Sequence, residues 1–281
     1  MLVLENAIKN FDRVSFLIGN GPNLFSHILP TWKELLFSVA DHPLNFEITG
    51  LSNTEVYDLV ELNSKEPARI KDRVVDNLML KGSDNLEVHQ RLMGFCQNNN
   101  IPVLTTNFDE AFERSIGTYQ FHIDSKGFTR FYPWKTYYGF VQHTVPTDGF
   151  GIWKIHGDLK YRDSIRLGLT DYMGSVERAR RLIHNEDDRS FMGKNQDPWP
   201  GYQTWLHIWF NLPIVIFGIN LGVNEVFLRW LLIERKRYKN SHSEPMEVVY
   251  ISKDLSQDVG NFMQNLGIEI IHIKDYREIY N

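Results

Sequence analysis

Cysteine is nearly absent from this chain: Cys96 is the only one among 281 residues. A single cysteine cannot close an intramolecular disulfide, nor build a zinc site that needs two or more thiolates. It lies in the apolar run Leu92-Met93-Gly94-Phe95-Cys96, where a buried small hydrophobe is expected rather than a nucleophile. Long hydrophobic runs are also missing. The longest, such as Leu212 to Ile219, is far too short to span a bilayer. The N-terminal Met1-Leu2-Val3-Leu4-Glu5-Asn6 has no basic region leading into a long apolar one, so no signal peptide is expected. A soluble, cytoplasmic protein without membrane contact is the expectation. Charge of one sign is not in excess either, with 30 Lys and Arg against 35 Asp and Glu and a net charge of −5. Nothing in that balance predicts direct nucleic-acid binding. The basic run Glu234-Arg235-Lys236-Arg237-Tyr238-Lys239 is a local exception, expected to be the solvated end of a helix. No internal repeat, low-complexity segment or interdomain linker is apparent.

What is present is an ordinary globular composition, 42% hydrophobic and 23% charged, sufficient to bury a sizeable core. Five short runs rich in β-branched residues read as buried parallel strands: 14–18, 102–106, 213–217, 247–251 and 269–273. Helical patterns separate them. Glu225 to Arg237 carries Val226, Phe227, Trp230, Leu231 and Ile233 at helical spacing, and Leu255 to Leu266 is amphipathic, with Gly267 as its stop. Residues 24–98 read as mostly helical. Strands alternating with helices predict an α/β fold with a doubly wound parallel sheet. A single domain over 1–281 is expected, with its core in about 10–26, 99–116, 151–172 and 205–281. Insertions, helical or irregular, fill about 27–98 and 117–150. The aromatic stretch from about Gly117 to Gly151 and the stretch from Asp187 to Gly201 are candidates for a lid or a partner surface.

Four segments carry the chemistry. Gly19-Asn20-Gly21-Pro22-Asn23 follows the first strand, where glycines let a backbone approach a pyrophosphate. The third glycine of the dinucleotide fingerprint is missing, as is an acidic residue ending a second strand, so a bare tight turn also explains it. Thr105-Thr106-Asn107-Phe108-Asp109 ends the second strand, where open α/β sheets bind ligands; Asn107 or Asp109 could equally cap the next helix. Trp153-Lys154-Ile155-His156-Gly157-Asp158-Leu159 offers an imidazole that can accept a proton at cellular pH, although a histidine is often structural. Phe217-Gly218-Ile219-Asn220-Leu221 follows another strand and suits a backbone lining a nucleotide.

Taken in order, these segments resemble the sirtuin-like (SIR2-family) NADase domains, in particular the bacterial anti-phage defence branch. The resemblance runs through Gly19-Asn20-Gly21, Leu29-Pro30-Thr31-Trp32-Lys33-Glu34-Leu35-Leu36 and Thr106-Asn107-Phe108-Asp109. It continues with Lys154-Ile155-His156-Gly157-Asp158-Leu159, Leu169-Thr170-Asp171-Tyr172 and Gly218-Ile219-Asn220, covering about residues 14–235. Two spacer residues of the family's Leu-Thr-x-x-Asp-Tyr segment are absent. Asn23 stands where the family usually has Ser or Thr, and Asn220 where it often has Ser.

The resemblance implies a Rossmann-like SIR2/DHS-type NAD-binding fold and hydrolysis of NAD to nicotinamide and ADP-ribose. It implies Asn107, His156 and Asp109 as catalytic residues, Asp109 ordering the loop or bonding the cofactor, with Asp158 as a possible orienting partner of His156. Gly19, Gly21 and Asn23 would hold the pyrophosphate and Gly218 with Asn220 the adenosine side, with Asn20, Trp32, Thr106 and Asp158 as further cofactor contacts. Deacylating sirtuins carry a four-cysteine zinc ribbon, so deacylation is disfavoured here and no zinc is expected. A catalytically silent NAD- or ADP-ribose-binding subunit is the alternative of another class. In the family the domain works beside a sensor such as a HerA-like ATPase, an Argonaute or a nucleotide-sensing module. A homo-oligomer or a separate activating chain is therefore expected, in a system that aborts infection by depleting NAD. The segments Tyr132–Tyr138 and Asp197-Pro198-Trp199-Pro200 are candidate contact surfaces, although packing in the core explains both equally well.

Overall fold

A computed structural model describes residues 1–41, 50–184 and 199–281. The five apolar runs expected as strands all form, as β1 (Ser15–Ile18), β2 (Val103–Thr105), β6 (Ile214–Phe217), β7 (Val248–Ser252) and β8 (Glu269–His272). Three further strands were not foreseen: β3 (Tyr119–His122), β4 (Thr136–Gly139) and β5 (Ile152–Lys154). Together they make one eight-stranded sheet in the order β3-β4-β5-β2-β1-β6-β7-β8. From β5 to β8 every neighbouring pair is parallel, while β3 and β4 add an antiparallel edge. The chain leaves β1 towards β2 and β5 on one side, and later builds β6, β7 and β8 on the other. That reversal, between β1 and β6, is where open α/β sheets place their ligand crevice.

Strand residues alternate between two cores, one on each face of the sheet. Leu17, Leu104, Trp153, Ile214 and Ile216 pack on one face with the helices Trp205–Asn211 and Val226–Ser241. Phe16, Ile18, Val103, Ile152, Val215 and Phe217 pack on the other with the helix Glu87–Asn98, which buries Cys96 completely. A central parallel strand covered on both faces has no polar side, which is why its sequence reads as a continuous apolar run. A third core lies within the residues between β1 and β2, where the helices Trp32–Val39, Asn53–Leu62 and Ile70–Leu78 bury Leu35, Val39, Val56, Val60, Ile70 and Val74. Thr31 and Ser52 start the first two of these helices, each in a capping box with the glutamate three residues on, satisfying otherwise orphaned N–H groups.

Three expectations are corrected. The stretch 117–151 is not wholly irregular, since it supplies β3 and β4, and its aromatic residues divide between the core and an exposed set of Tyr119, Phe128, Phe131 and Phe140. Trp134, Tyr137 and Tyr138 are buried, Tyr137 stacking on Trp153 with ring centroids 4.8 Å apart. Trp199 is likewise buried, against His207; Asp197 and Pro198 lie outside the described residues. The basic run is not a solvated helix end either. Glu234, Arg235 and Lys239 are buried, and only part of the run faces out. Lys239 pairs with Glu244 and Glu247 at 2.8 and 3.2 Å, and Glu234 with His184 and Arg237. The Arg235 guanidinium donates to the carbonyls of Met246 and Trp209, and burial lowers its pKa to about 10. The long helix thus carries a second, polar stripe that clamps its end to the rest of the domain.

Arg235→Ala should therefore cost about 3 kcal/mol or more, from the cavity and two unpaired carbonyls, read as a shift in the urea unfolding midpoint. A solvated arginine would cost about 0.5 kcal/mol or less.

Candidate active site

Four loops leave the carboxyl ends of β1, β2, β5 and β6 and meet around one cavity of about 320 Å³. Asn20, Thr106, Asn107, Asp109, His156, Gly218 and Asn220 line it, as do Trp32 from the helical insertion and Tyr172 and Glu225.

The glycine loop after β1 works by backbone contact with the turn after β6. Gly21 N–H donates to the Gly218 carbonyl at 2.8 Å, and a Cβ on Gly21 would stand 2.6 Å from Gly218 Cα. A Cβ on Gly19 would stand 2.6 Å from Ile219 Cβ. Neither glycine lines the cavity, although Asn20 and Gly218 do. The close approach that these glycines permit is between two loops of the protein. In this structure both glycines serve the contact between the two loops.

Asn23 is buried behind the wall and also does not line the cavity. Its amide donates to Asp109 Oδ2 at 2.9 Å and to Asn20 Oδ1 at 2.8 Å, and its carbonyl oxygen lies 2.8 Å from His89 Nε2. Burial lowers the His89 pKa to about 4, so the ring is neutral at pH 7 and its Nε2–H is the donor to Asn23. Ser or Thr could not serve three partners at once. Asn23 is thus a tie between loops rather than a phosphate ligand.

The loop after β2 is held from several directions. Thr105 Oγ1 donates to the Ile18 carbonyl at 2.8 Å and accepts from Asn107 N–H at 3.1 Å. Asp109 Oδ1 accepts from Ala111 N–H at 2.8 Å, opening the helix Ala111–Ile116, while Oδ2 takes the Asn23 amide. Lys154 Nζ, at the end of β5, donates to the Asp109 carbonyl and pairs with Glu113 at 3.0 Å. Burial opposes the Lys154 charge, yet Glu113, Asp158 and Asp109 around it raise its pKa. Phe108 packs on the insertion core at the edge of the cavity, its ring 6.1 Å from Trp32. Asn107 lines the cavity with a polar group still free: it is 6% exposed and its Nδ2 has no partner.

His156 follows β5 and is 3% exposed. Tyr172 meets its ring edge-on at 5.4 Å, and neither ring nitrogen makes a hydrogen bond. Gly157 adopts φ +117°, and a Cβ there would run into the Ser164 carbonyl. Only glycine fits that turn. The turn carries Asp158 away from its neighbour: its carboxylate takes the Tyr138 hydroxyl at 2.6 Å and the Lys160 N–H at 2.9 Å. Asp158 neither bonds His156 nor lines the cavity. Its expected roles as orienting partner and cofactor contact are corrected.

Sequence reasoning missed Glu225 and Tyr172 as wall residues. Glu225 caps the helix after β6, with Oε2 3.5 Å from His156 Nε2 and without a hydrogen-bond partner. The available signal was an acidic residue entering a helix just beyond a strand-end glycine, which the resemblance contains. The buried orphans Asn107 Nδ2, both His156 nitrogens, Trp32 Nε1 and Glu225 Oε2 are groups that need a polar ligand to complete them. Among the described residues no group of three or more His, Cys, Asp or Glu is placed to hold a metal ion, and no helix is long and apolar enough to cross a membrane.

Lys154→Met should cost about 3–5 kcal/mol in chemical denaturation, because it leaves Glu113 buried without its cation. A loss below about 1 kcal/mol would mean that the pair does not hold the β2 loop.

The sequence matches the family model of the SIR2-like domain over residues 102–271. Comparison with curated proteins finds no match. Among solved structures, one from work on the mechanism and regulation of Sir2 enzymes is 10% identical, with 99% of this chain and 92% of that chain covered, at a TM-score of 0.44. A Sir2 protein bound to a propionylated peptide is 12% identical over 99% and 95%, at 0.41. A Sir2 homologue in complex with NAD is 12% identical over 96% and 88%, also at 0.41.

Proposed function

The chain belongs to the SIR2-like domain family, and on that premise we propose that it hydrolyses NAD to nicotinamide and ADP-ribose. One observation carries this reading. Asn107 and His156 come from loops after two different strands, are both buried, and turn unpartnered polar atoms to the same cavity. Unpaired buried polar groups cost roughly 1–3 kcal/mol each, so their retention supports a ligand rich in hydroxyls and charge.

NAD supplies the scissile bond: breaking it releases neutral nicotinamide and builds positive charge on the ribose, as in glycoside hydrolysis. The Asn107 amide donates to a ribose hydroxyl and orients the attacking water. His156 accepts the proton that the water, or a ribose hydroxyl, gives up, so that NAD and water yield nicotinamide, ADP-ribose and one proton. Asn20, Gly218 and Asn220 line the stretch of wall suited to the phosphates and adenosine. Asp109 acts on the loop, both its carboxylate oxygens being engaged within the protein. In biological setting we propose an anti-phage effector that depletes NAD and is switched on by a separate sensor chain, a reading that rests on the family resemblance.

The test is nicotinamide release from NAD by the purified protein, by Asn107→Ala and by His156→Ala. Each variant should lose about 100-fold or more in turnover while keeping its unfolding temperature within a few degrees. Full turnover in both variants would overturn the assignment of the site. Nicotinamide release that appears only with an acyl-lysine peptide would replace hydrolysis by deacylation.

A further inference from the structure

A histidine that acts as a base needs a neighbour that fixes which ring nitrogen carries the proton. Asp158, the nearest acidic residue in sequence, is taken up by Tyr138 and Lys160. Tyr172 meets the ring edge-on, and burial, with Glu225 and Asp171 nearby, holds its hydroxyl well above its ordinary pKa. It stays neutral and is a wall. Phe227 closes another side at 6.0 Å. Glu225 differs from these. Its Oε2 lies 3.5 Å from His156 Nε2, it lines the same cavity, and both facing atoms are buried without a hydrogen bond. A small side-chain rotation brings 3.5 Å into bonding range, and such bonds commonly tighten only when substrate binds.

We propose that Glu225 is the positioning residue of His156: its carboxylate accepts the Nε2–H, leaving Nδ1 as the free proton acceptor. When Nδ1 takes a proton from water or from a ribose hydroxyl, the carboxylate stabilises the resulting imidazolium. No covalent bond to the protein forms. The kinetic consequence rests on the glycohydrolase reading above, whereas the pairing itself does not. Glu225 reaches this position by topology, since the β6 turn beside the glycine loop sets the start of the helix Val226–Ser241 opposite the end of β5.

The experiment combines two readouts on the wild type, Glu225→Ala and Glu225→Gln. Nitrogen-15 spectra of labelled histidine, with the His156 signals assigned by their loss in His156→Ala, report which ring nitrogen holds the proton. Nicotinamide-release kinetics report kcat and KM. The wild type should show His156 as the Nε2–H tautomer, and Glu225→Ala should shift it towards a mixture. In Glu225→Ala kcat should fall about 100-fold with KM changed less than about threefold. Glu225→Gln keeps an acceptor oxygen, so it should preserve the tautomer and lose less activity. Identical tautomer populations in the wild type and Glu225→Ala would overturn the proposal. So would a raised KM at unchanged kcat, which would make Glu225 a substrate contact. If the wild type by itself releases no nicotinamide, as activation by a separate chain would have it, the tautomer populations alone decide the pairing.

Discussion

Asp109 takes hydrogen bonds from three separate parts of the chain: the Asn23 amide on one carboxylate oxygen, Ala111 N–H on the other, and Lys154 Nζ on its carbonyl. The loops after β1, β2 and β5 are thereby fixed to one another in a region closed to water, where a lost bond is felt in full. Asn23 extends the tie to His89 on the helix Glu87–Asn98, and Glu113 completes it by pairing with Lys154. Asn107 lines the cavity beside Thr106, Phe108 and Asp109, and differs from Asp109 in that its side-chain amide is left without a partner while the Asp109 carboxylate is held by this hub. A site whose side chains must stand within about half an ångström of a productive geometry needs such support.

The sheet supplies the rest of the placement. Reversal of strand order between β1 and β6 opens the crevice, and the close backbone contact of Gly21 with Gly218 sets its floor. The helical insertion reaches the same place through Trp32 against Phe108. The cavity wall is thus shared by a parallel sheet and a separately cored insertion. Helices alone could not bring loops from four strands to one point.

Much of this was legible in the sequence, for identifiable reasons. Central strands such as 214–217 are covered on both faces, and that leaves an unmistakable apolar run. Asn107 was legible because it ends an evident strand, and strand ends converge; His156 was legible only through its imidazole and the Lys154–Leu159 motif. β5 escaped because three residues ending in a lysine give no pattern; that lysine is buried through an ion pair, which sequence cannot show. β3 lies at the sheet edge with Tyr119 exposed and its other residues half-buried, so burial left no clear alternation on it. Proximity in sequence misled at Asp158, which Gly157 turns towards Tyr138, while Glu225 arrives from a distant part of the chain. The basic run misled because charge was taken as exposure, whereas Arg235 and Lys239 find carbonyls and carboxylates inside.

The most direct measurement is a crystal structure of His156→Ala grown with NAD, a variant that on the proposed mechanism should keep binding and lose turnover. The dinucleotide should lie across the ends of β1, β2, β5 and β6, with its nicotinamide ribose between Asn107 and position 156. A dinucleotide bound elsewhere, or a ribose out of reach of Asn107, would contradict the central claim.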